Sequence, residues 1–245
     1  MMEYRGNFFF WTFVSTMWGL FHVFFMELMI SANGGSIAGW SRHEIFVLVG
    51  ISTMLDGLIW SVMYHNMVDY TKYLFNGYLS SIMLKPIDTQ FFIMAHTGSY
   101  TNAVRIVIGF LILLRQFSDT GLWPTTQQAI IFCLMFATAL SFLYLFWFTI
   151  STLGMWVNRL NNINEIVPNL LRIWRFPRSV YTGIFSTILT VILPLGLISS
   201  LPAEALLGKA TLSGMSYFLA YTVVAAILSR AFFNLSIRRY SGVGG

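Results

Sequence analysis

Few residues in this sequence are of types that do chemistry, and their spacing is poor for it. His65 and Asp69 stand four apart and could share a helix face, but two ligands do not make a metal centre. His22 and Glu27 are five apart, and neither HExxH nor GxSxG occurs. A phosphate-binding nucleotide loop needs two glycines, a lysine and a Ser or Thr at fixed offsets. The nearest run, Gly208-Lys209-Ala210-Thr211, has Ala203 where the first glycine belongs and Ala210 where the hydroxyl belongs. Asp56-Gly57 lacks the Ala-Arg that would continue a headgroup-transferase motif. No catalytic, cofactor-binding or metal-ligating residue is expected, and the chain reads as a non-enzyme.

Three ionisable residues remain as candidates because they lie inside apolar runs, where each costs a few kcal/mol at a bilayer centre. They are Glu27, Asp56 and Arg105. Glu27 falls near the end of its run, within reach of headgroups. Asp56 and Arg105 fall on the same side of their runs, so a pair between them is geometrically possible. Such a pair would either hold helices together or touch a substrate.

The elements that must position these residues are membrane spans. Of 245 residues, 57% are hydrophobic and only 9% are Asp, Glu, Lys or Arg, far short of the charge a water-facing surface carries. The composition excludes a soluble enzyme of ordinary build and, with 19 Gly and 6 Pro, collagen-like and low-complexity chains. Cys133 is the sole cysteine and so forms no intrachain disulfide. The net charge of +5 comes from scattered residues, better explained by membrane orientation than by nucleic acid, which is not expected as a partner.

A spanning helix needs about 20 apolar residues. The runs 8–30, 45–63, 103–114, 128–156, 181–200 and 212–233 give six spans in one membrane domain covering 1–245. The third is short, and Pro194 makes a straight fifth doubtful. With a cytoplasmic N-terminus, Arg5, Lys72, Lys85, Arg159, Arg172, Arg175, Arg178, Arg230, Arg238 and Arg239 fall inside, and only Arg42, Arg115 and Lys209 outside. That bias places both termini in the cytoplasm. The fold class is all-α and polytopic.

The cytoplasmic stretch after the second span carries the strongest pattern. Leu74, Tyr78 and Ile82 repeat at helical spacing, with Phe75, Leu79 and Met83 beside them, before Lys85-Pro86 stops the helix. A short amphipathic helix of this kind lies in the lipid interface or docks in a groove of another protein. Its polar face has only Lys72, with Lys85 at the end, which leans toward a protein partner.

In its order of features the chain resembles the permease subunits of ABC-2 type transporters, in particular the paired permeases of antibiotic and multidrug efflux. The residues that carry this are Glu3-Tyr4-Arg5-Gly6-Asn7-Phe8, Gly39-Trp40-Ser41 with Glu44, Gly77-Tyr78-Leu79-Ser80, and Leu84-Lys85-Pro86-Ile87-Asp88. Phe176-Pro177 with Tyr181, then Pro194 and Pro202-Ala203, complete the pattern, which covers essentially the whole chain. The resemblance implies that 77–88 is a coupling helix resting in a cleft of a separate ATPase subunit, present in two copies. ATP would act through that subunit. It also implies a second permease, identical or a sibling, with the export path between the two lined partly by the first, second and fifth spans. A multi-pass protein of a bacterial plasma membrane is implied, and part of 181–202 would form a re-entrant element, drawing some of 157–176 into the membrane. The many Asn and Arg residues of 157–176 favour leaving it in the cytoplasm. Related permeases usually carry a longer amphipathic helix ahead of the Glu-Tyr-Arg stretch. Here Met1-Met2 alone precede Glu3, so either the start lies upstream or that helix is absent. A stand-alone channel or ion-coupled carrier is the alternative, although it would ordinarily show several midplane carboxylates or broken helices in matched halves.

Overall fold

In the computed structural model, residues 2–156 and 163–238 are described. They form a helical bundle in which five helices are long and apolar enough to cross a membrane: Arg5–Ala32, Arg42–Phe75, Tyr100–Thr120, Thr126–Met155 and Leu212–Ile237. A sixth crossing exists only if the bent pair Gly183–Ile192 and Pro194–Leu206 counts as one span.

The first helix, α1 (Met2–Ala32), turns through a two-residue ribbon, β1 (Ser36–Ile37) antiparallel to β2 (Trp40–Ser41), in which Ile37 opposes Trp40. Next comes α2 (Arg42–Leu58), whose Glu44 Oε2 accepts from the Ser41 N–H at 3.1 Å and so satisfies a donor just ahead of the helix. A π-helical turn, Ile59–Met63, joins α2 to α3 (Tyr64–Phe75) without interrupting the rod. At 1.5 Å per residue this rod is about 50 Å long, against a hydrocarbon core of about 30 Å. The expected second span, 45–63, is therefore too short at its far end. Residues 64–75 stay helical because Met67, Tyr70 and Leu74 are buried, with Tyr70 stacked on Phe148 at 5.0 Å.

The single amphipathic helix expected from the spacing of Leu74, Tyr78 and Ile82 is not what forms. Asn76 ends α3, and Gly77 takes φ +73°, a left-handed conformation that suits glycine and stops a helix. The chain restarts as α4 (Leu79–Met83) and α5 (Thr89–Ala95), and Leu74 and Ile82 are buried from different helices.

The next spanning rod, α6 (Val104–Thr120), runs beyond the expected 103–114. It packs on α2 across glycine: a Cβ added at Gly109 would lie 2.4 Å from the Gly50 carbonyl oxygen. The cap of α7 (Thr126–Thr152) is set by Thr125 and Gln128, each backbone N–H donating to the other's side-chain oxygen. The last span is α11 (Leu212–Ile237), which packs on α7 through Phe142–Phe218 and Phe148–Phe233 ring contacts.

Between α7 and α11 lies the main departure from expectation. Here α8 (Ile163–Leu170) continues as a 3₁₀ turn, Leu171–Arg175, followed by α9 (Gly183–Thr187) with a π turn Ile188–Ile192, and then by α10 (Leu197–Leu206). The helices on either side of Leu193 meet at 80°, so 181–200 is not one straight span. Tyr217 and Tyr221 of α11 donate to the Val191 and Ile192 carbonyls at 2.5 and 2.6 Å, which satisfies acceptors exposed by the break.

Contacts distinguish two ends of the bundle. At the turn end, Lys209 pairs with Glu44 at 2.5 Å and Arg42 with Glu27 at 2.6 Å. At the loop end, Arg230 pairs with Asp88 at 2.6 Å and Trp156 Nε1 donates to Ser236 Oγ at 2.8 Å. Arg175 and Arg178, expected on the cytoplasmic surface, lie instead within the bundle. Arg175 pairs with Asp56, and Arg178 with Glu204 at 2.9 Å, one turn from Lys209. The reason is that both carboxylates are buried, with 8% and 7% side-chain exposure, and need counter-charges. The basic bias of the loop end thus rests, among the described residues, on Arg5, Lys72, Lys85, Arg230 and Arg238, while Arg172, also expected there, is exposed on the same 3₁₀ turn as Arg175. Arg159 and Arg239 lie outside the described residues.

Candidate functional site

Two places gather the chain's polar chemistry. The first is a cavity of about 960 Å³ between α1, α2 with its π turn, the start of α6, and residues 168–176. Each wall has a local cause. The π turn sets Trp60 and Tyr64 in contact, with ring centroids 4.5 Å apart, and Ser61's carbonyl accepts from the Ser99 N–H at 2.7 Å, which draws 99–102 against the bundle. The 168–176 wall is held by Ser199 Oγ donating to the Trp174 carbonyl, by Tyr181 donating to the Ile173 carbonyl at 2.7 Å, and by the Arg178 N–H donating to Ser200 Oγ at 3.0 Å.

Asp56 sits about 20 Å along α2 from Arg42, well inside a hydrocarbon core by length. Its oxygen Oδ2 accepts from Arg175 Nη2 at 2.6 Å. Arg105 is beside it, since a Cβ on Gly57 would lie 3.2 Å from the Arg105 Cβ, but its Nε donates to the Ser15 carbonyl on α1 at 3.2 Å. The partner that the structure gives Asp56 is therefore Arg175 rather than Arg105. Ser15 Oγ in turn donates to Asn102 Oδ1 at 2.9 Å, so α1 and α6 are tied together at this level. Glu27 is not part of the cavity and pairs with Arg42 at the turn end.

His22, Arg172 and Arg175 are cavity residues that sequence reasoning missed. A signal was present for two of them: Arg172, Arg175 and Arg178 recur every three residues around Trp174 and Phe176, an odd pattern for a solvated loop. Nothing in the sequence marks His22, because its importance comes from which helices pack over it.

The second place is the loop end. Of the residues expected to form a coupling contact, Leu79 is buried and Gly77 half-buried, while Tyr78, Ser80, Leu84, Lys85, Pro86, Ile87 and Asp88 are exposed. Leu84 is 87% exposed at the tip. The tip is mounted rigidly. Asp88 caps α5 by accepting from the Phe91 N–H at 2.9 Å and also pairs with Arg230 of α11. The Phe91 amide, and then Arg230, hold the Asp88 carboxyl below the usual carboxylate range. Lys85 Nζ lies 4.1 Å from the Phe92 ring centroid. Asn66 of α3 staples the returning segment: its Nδ2 shares two hydrogens among the Val62, Met94 and Thr97 carbonyls at 2.7–2.9 Å, and its Oδ1 accepts from the Thr97 N–H at 2.9 Å. Tyr144 of α7 donates to the Gln90 carbonyl at 2.6 Å. The loop thus connects to three spans.

The family profile described as "ABC-2 family transporter protein" matches residues 16–244. The chain belongs to the ABC-2 transporter family. Comparison with curated proteins and with solved structures returned no match. Membership makes this a multi-pass transporter chain of the permease kind, and the six-span expectation becomes five continuous crossings plus one bent pair. In this ABC-2 chain no group of His, Cys, Asp and Glu suited to a metal ion occurs among the described residues.

Proposed function

We propose that this chain is the permease subunit of an ABC exporter, paired with a second permease, identical or sibling, and driven by two copies of a separate ATPase subunit. The observation that carries the reading is the loop of residues 78–88: an apolar, exposed tip on a rod about 20 Å longer than the hydrocarbon core, tied to α11 by the Asp88–Arg230 pair and, through residues 90–97 that follow it, to α3 and α7 by part-buried hydrogen bonds. A segment built only to rest on lipid needs no such rigid mounting. A segment that transmits force to the spans does. On this reading the loop end is cytoplasmic, with the termini on that side, and the chain has no catalysis of its own. ATP is hydrolysed on the partner, in the plasma membrane of a bacterium, and efflux of amphipathic or multidrug-type cargo is the transport expected.

Supporting the paired arrangement, α1 carries exposed Phe9, Phe10, Phe13 and Phe24 away from the cavity, an apolar surface that a second permease could cover. The test is co-purification in mild detergent of the chain with the ATPase, compared with Leu84→Asp and Lys85→Glu variants. The variants should keep the chain's own melting temperature and lose the ATPase. Retention of the ATPase and of transport in both variants would overturn the coupling role of the loop.

A further inference from the structure

We infer that the cavity between α1, α2, α6 and residues 168–176 binds an anionic amphipath, one acidic headgroup on an apolar body, as the transporter's cargo class; the cargo role, though not the binding, rests on the exporter reading above. Three observations carry it.

The first is charge. Arg105, Arg172 and Arg175 line the cavity, and among the described residues the only acid facing it is Asp56. Asp56 is engaged by Arg175, and Arg105 spends Nε on a neutral carbonyl. Uncompensated positive charge at membrane depth is costly, and a ligand anion removes that cost by supplying the missing counter-charge. Guanidinium groups hold phosphate or carboxylate oxygens through paired N–H donors.

The second is a set of unpartnered nitrogens. His22 is 6% exposed and lines the same cavity, and neither of its ring nitrogens has a hydrogen-bond partner. Arg175 Nε and His65 Nδ1, also at the cavity, are likewise without one. Buried polar atoms in native proteins are normally satisfied. These nitrogens are themselves closed off from solvent, but they belong to residues that line one space, and an oxygen-rich headgroup entering between those residues would supply the missing partners.

The third is the apolar remainder. Trp11, Trp18, Trp60, Phe21 and Phe25 form the other walls, and about 960 Å³ accommodates a drug-sized or single-chain amphipath. A small free anion would leave those rings facing nothing. A cation would meet the arginines.

The experiment uses the full chain, without ATPase, in nanodiscs of phosphatidylcholine. Binding of dodecyl phosphate is followed by quenching of tryptophan fluorescence and by thermal shift, beside dodecylphosphocholine, dodecyltrimethylammonium and inorganic phosphate. Dodecyl phosphate should bind about tenfold or more tightly than its zwitterionic counterpart, the charge-assisted contacts being lost in the latter. The cationic probe and inorganic phosphate should give no saturable change. Arg172→Gln, at an exposed position, should weaken dodecyl phosphate about tenfold while leaving the ligand-free melting temperature in place. Equal affinity for the three dodecyl probes, or an unaltered affinity in Arg172→Gln, overturns the proposal. Saturable binding of inorganic phosphate alone overturns the amphipathic part of it. Repeating the titration with phosphatidylglycerol in the disc separates sources: competition identifies a membrane lipid headgroup as an occupant, and unchanged binding identifies an exogenous amphipath. Because no ATPase is present, this result stands apart from the test of the coupling loop.

Discussion

Removing one member of the Asp56–Arg175 pair should destabilise the chain unequally, and the order of the two effects follows from exposure. The carboxylate has 8% side-chain exposure and the guanidinium 27%. Stripping one partner from a buried pair costs about 3–5 kcal/mol, because the other charge is left without compensation. Arg175→Gln leaves the more buried charge alone and should show that range. Asp56→Asn leaves an arginine that already opens onto the cavity, and water there reduces the cost to about half, roughly 2 kcal/mol. For a chain of this size 1 kcal/mol shifts the melting temperature by about 2–4 °C. Arg175→Gln should therefore lower it by about 6–20 °C and Asp56→Asn by about 4–8 °C. The double variant Asp56→Asn/Arg175→Gln removes both charges and should fall short of the sum of the singles by at least about 1 kcal/mol. The assay is thermal unfolding in one detergent, followed by tryptophan fluorescence and by size-exclusion chromatography after heating. Additive single effects, or a larger loss in Asp56→Asn than in Arg175→Gln, would refute the argument that burial of this pair holds residues 171–176 in the bundle.

Other perturbations give equally direct readouts. Gly109→Ala places a Cβ 2.4 Å from the Gly50 carbonyl oxygen and 2.6 Å from Met54 Cγ, so α2 and α6 must separate at a cost of about 1–3 kcal/mol by thermal unfolding. Gly6→Ala, with nothing within 4 Å, should be neutral or slightly stabilising in the same assay. Asn66→Ala leaves the carbonyls of Met94 and Thr97 without their donor and should cost about 1–3 kcal/mol, with faster hydrogen exchange in 94–99. Asp88 has its carboxyl held below the usual range by the Phe91 amide and then by Arg230, so its contribution to the loop is complete above its ordinary value, near 3.8. It is lost as pH falls through the lowered value. The protection factor of the Phe91 amide should fall only on acidification below about pH 4, and Asp88→Asn should flatten that dependence.

Much of the architecture was legible because long apolar runs have few alternatives in a bilayer. The fourth and sixth spans, expected at 128–156 and 212–233, match Thr126–Met155 and Leu212–Ile237 within a few residues, since Thr125 with Gln128 and Thr211 signal their starts. The break in the fifth was announced by Pro194, though not its angle. The segment 77–88 stands out in the sequence as a unit, but its helical spacing runs through Gly77, where the structure breaks the helix. Spacing reports what a helix would align and is silent on whether the backbone continues.

What the sequence determined by itself is the class: too little charge for water, enough apolar length for at least five crossings, and no spacing suited to catalysis. These are local properties of consecutive residues, so local rules reach them. The tertiary structure alone decided which charges meet. Asp56 and Arg175 are separated by more than a hundred residues, and His22 becomes part of the cavity only when α1 packs beside α2 and the 168–176 segment folds inward. Pairing in a membrane follows from the cost of leaving any buried charge or polar atom alone, and that cost can be assessed only when every helix that competes to relieve it is in place.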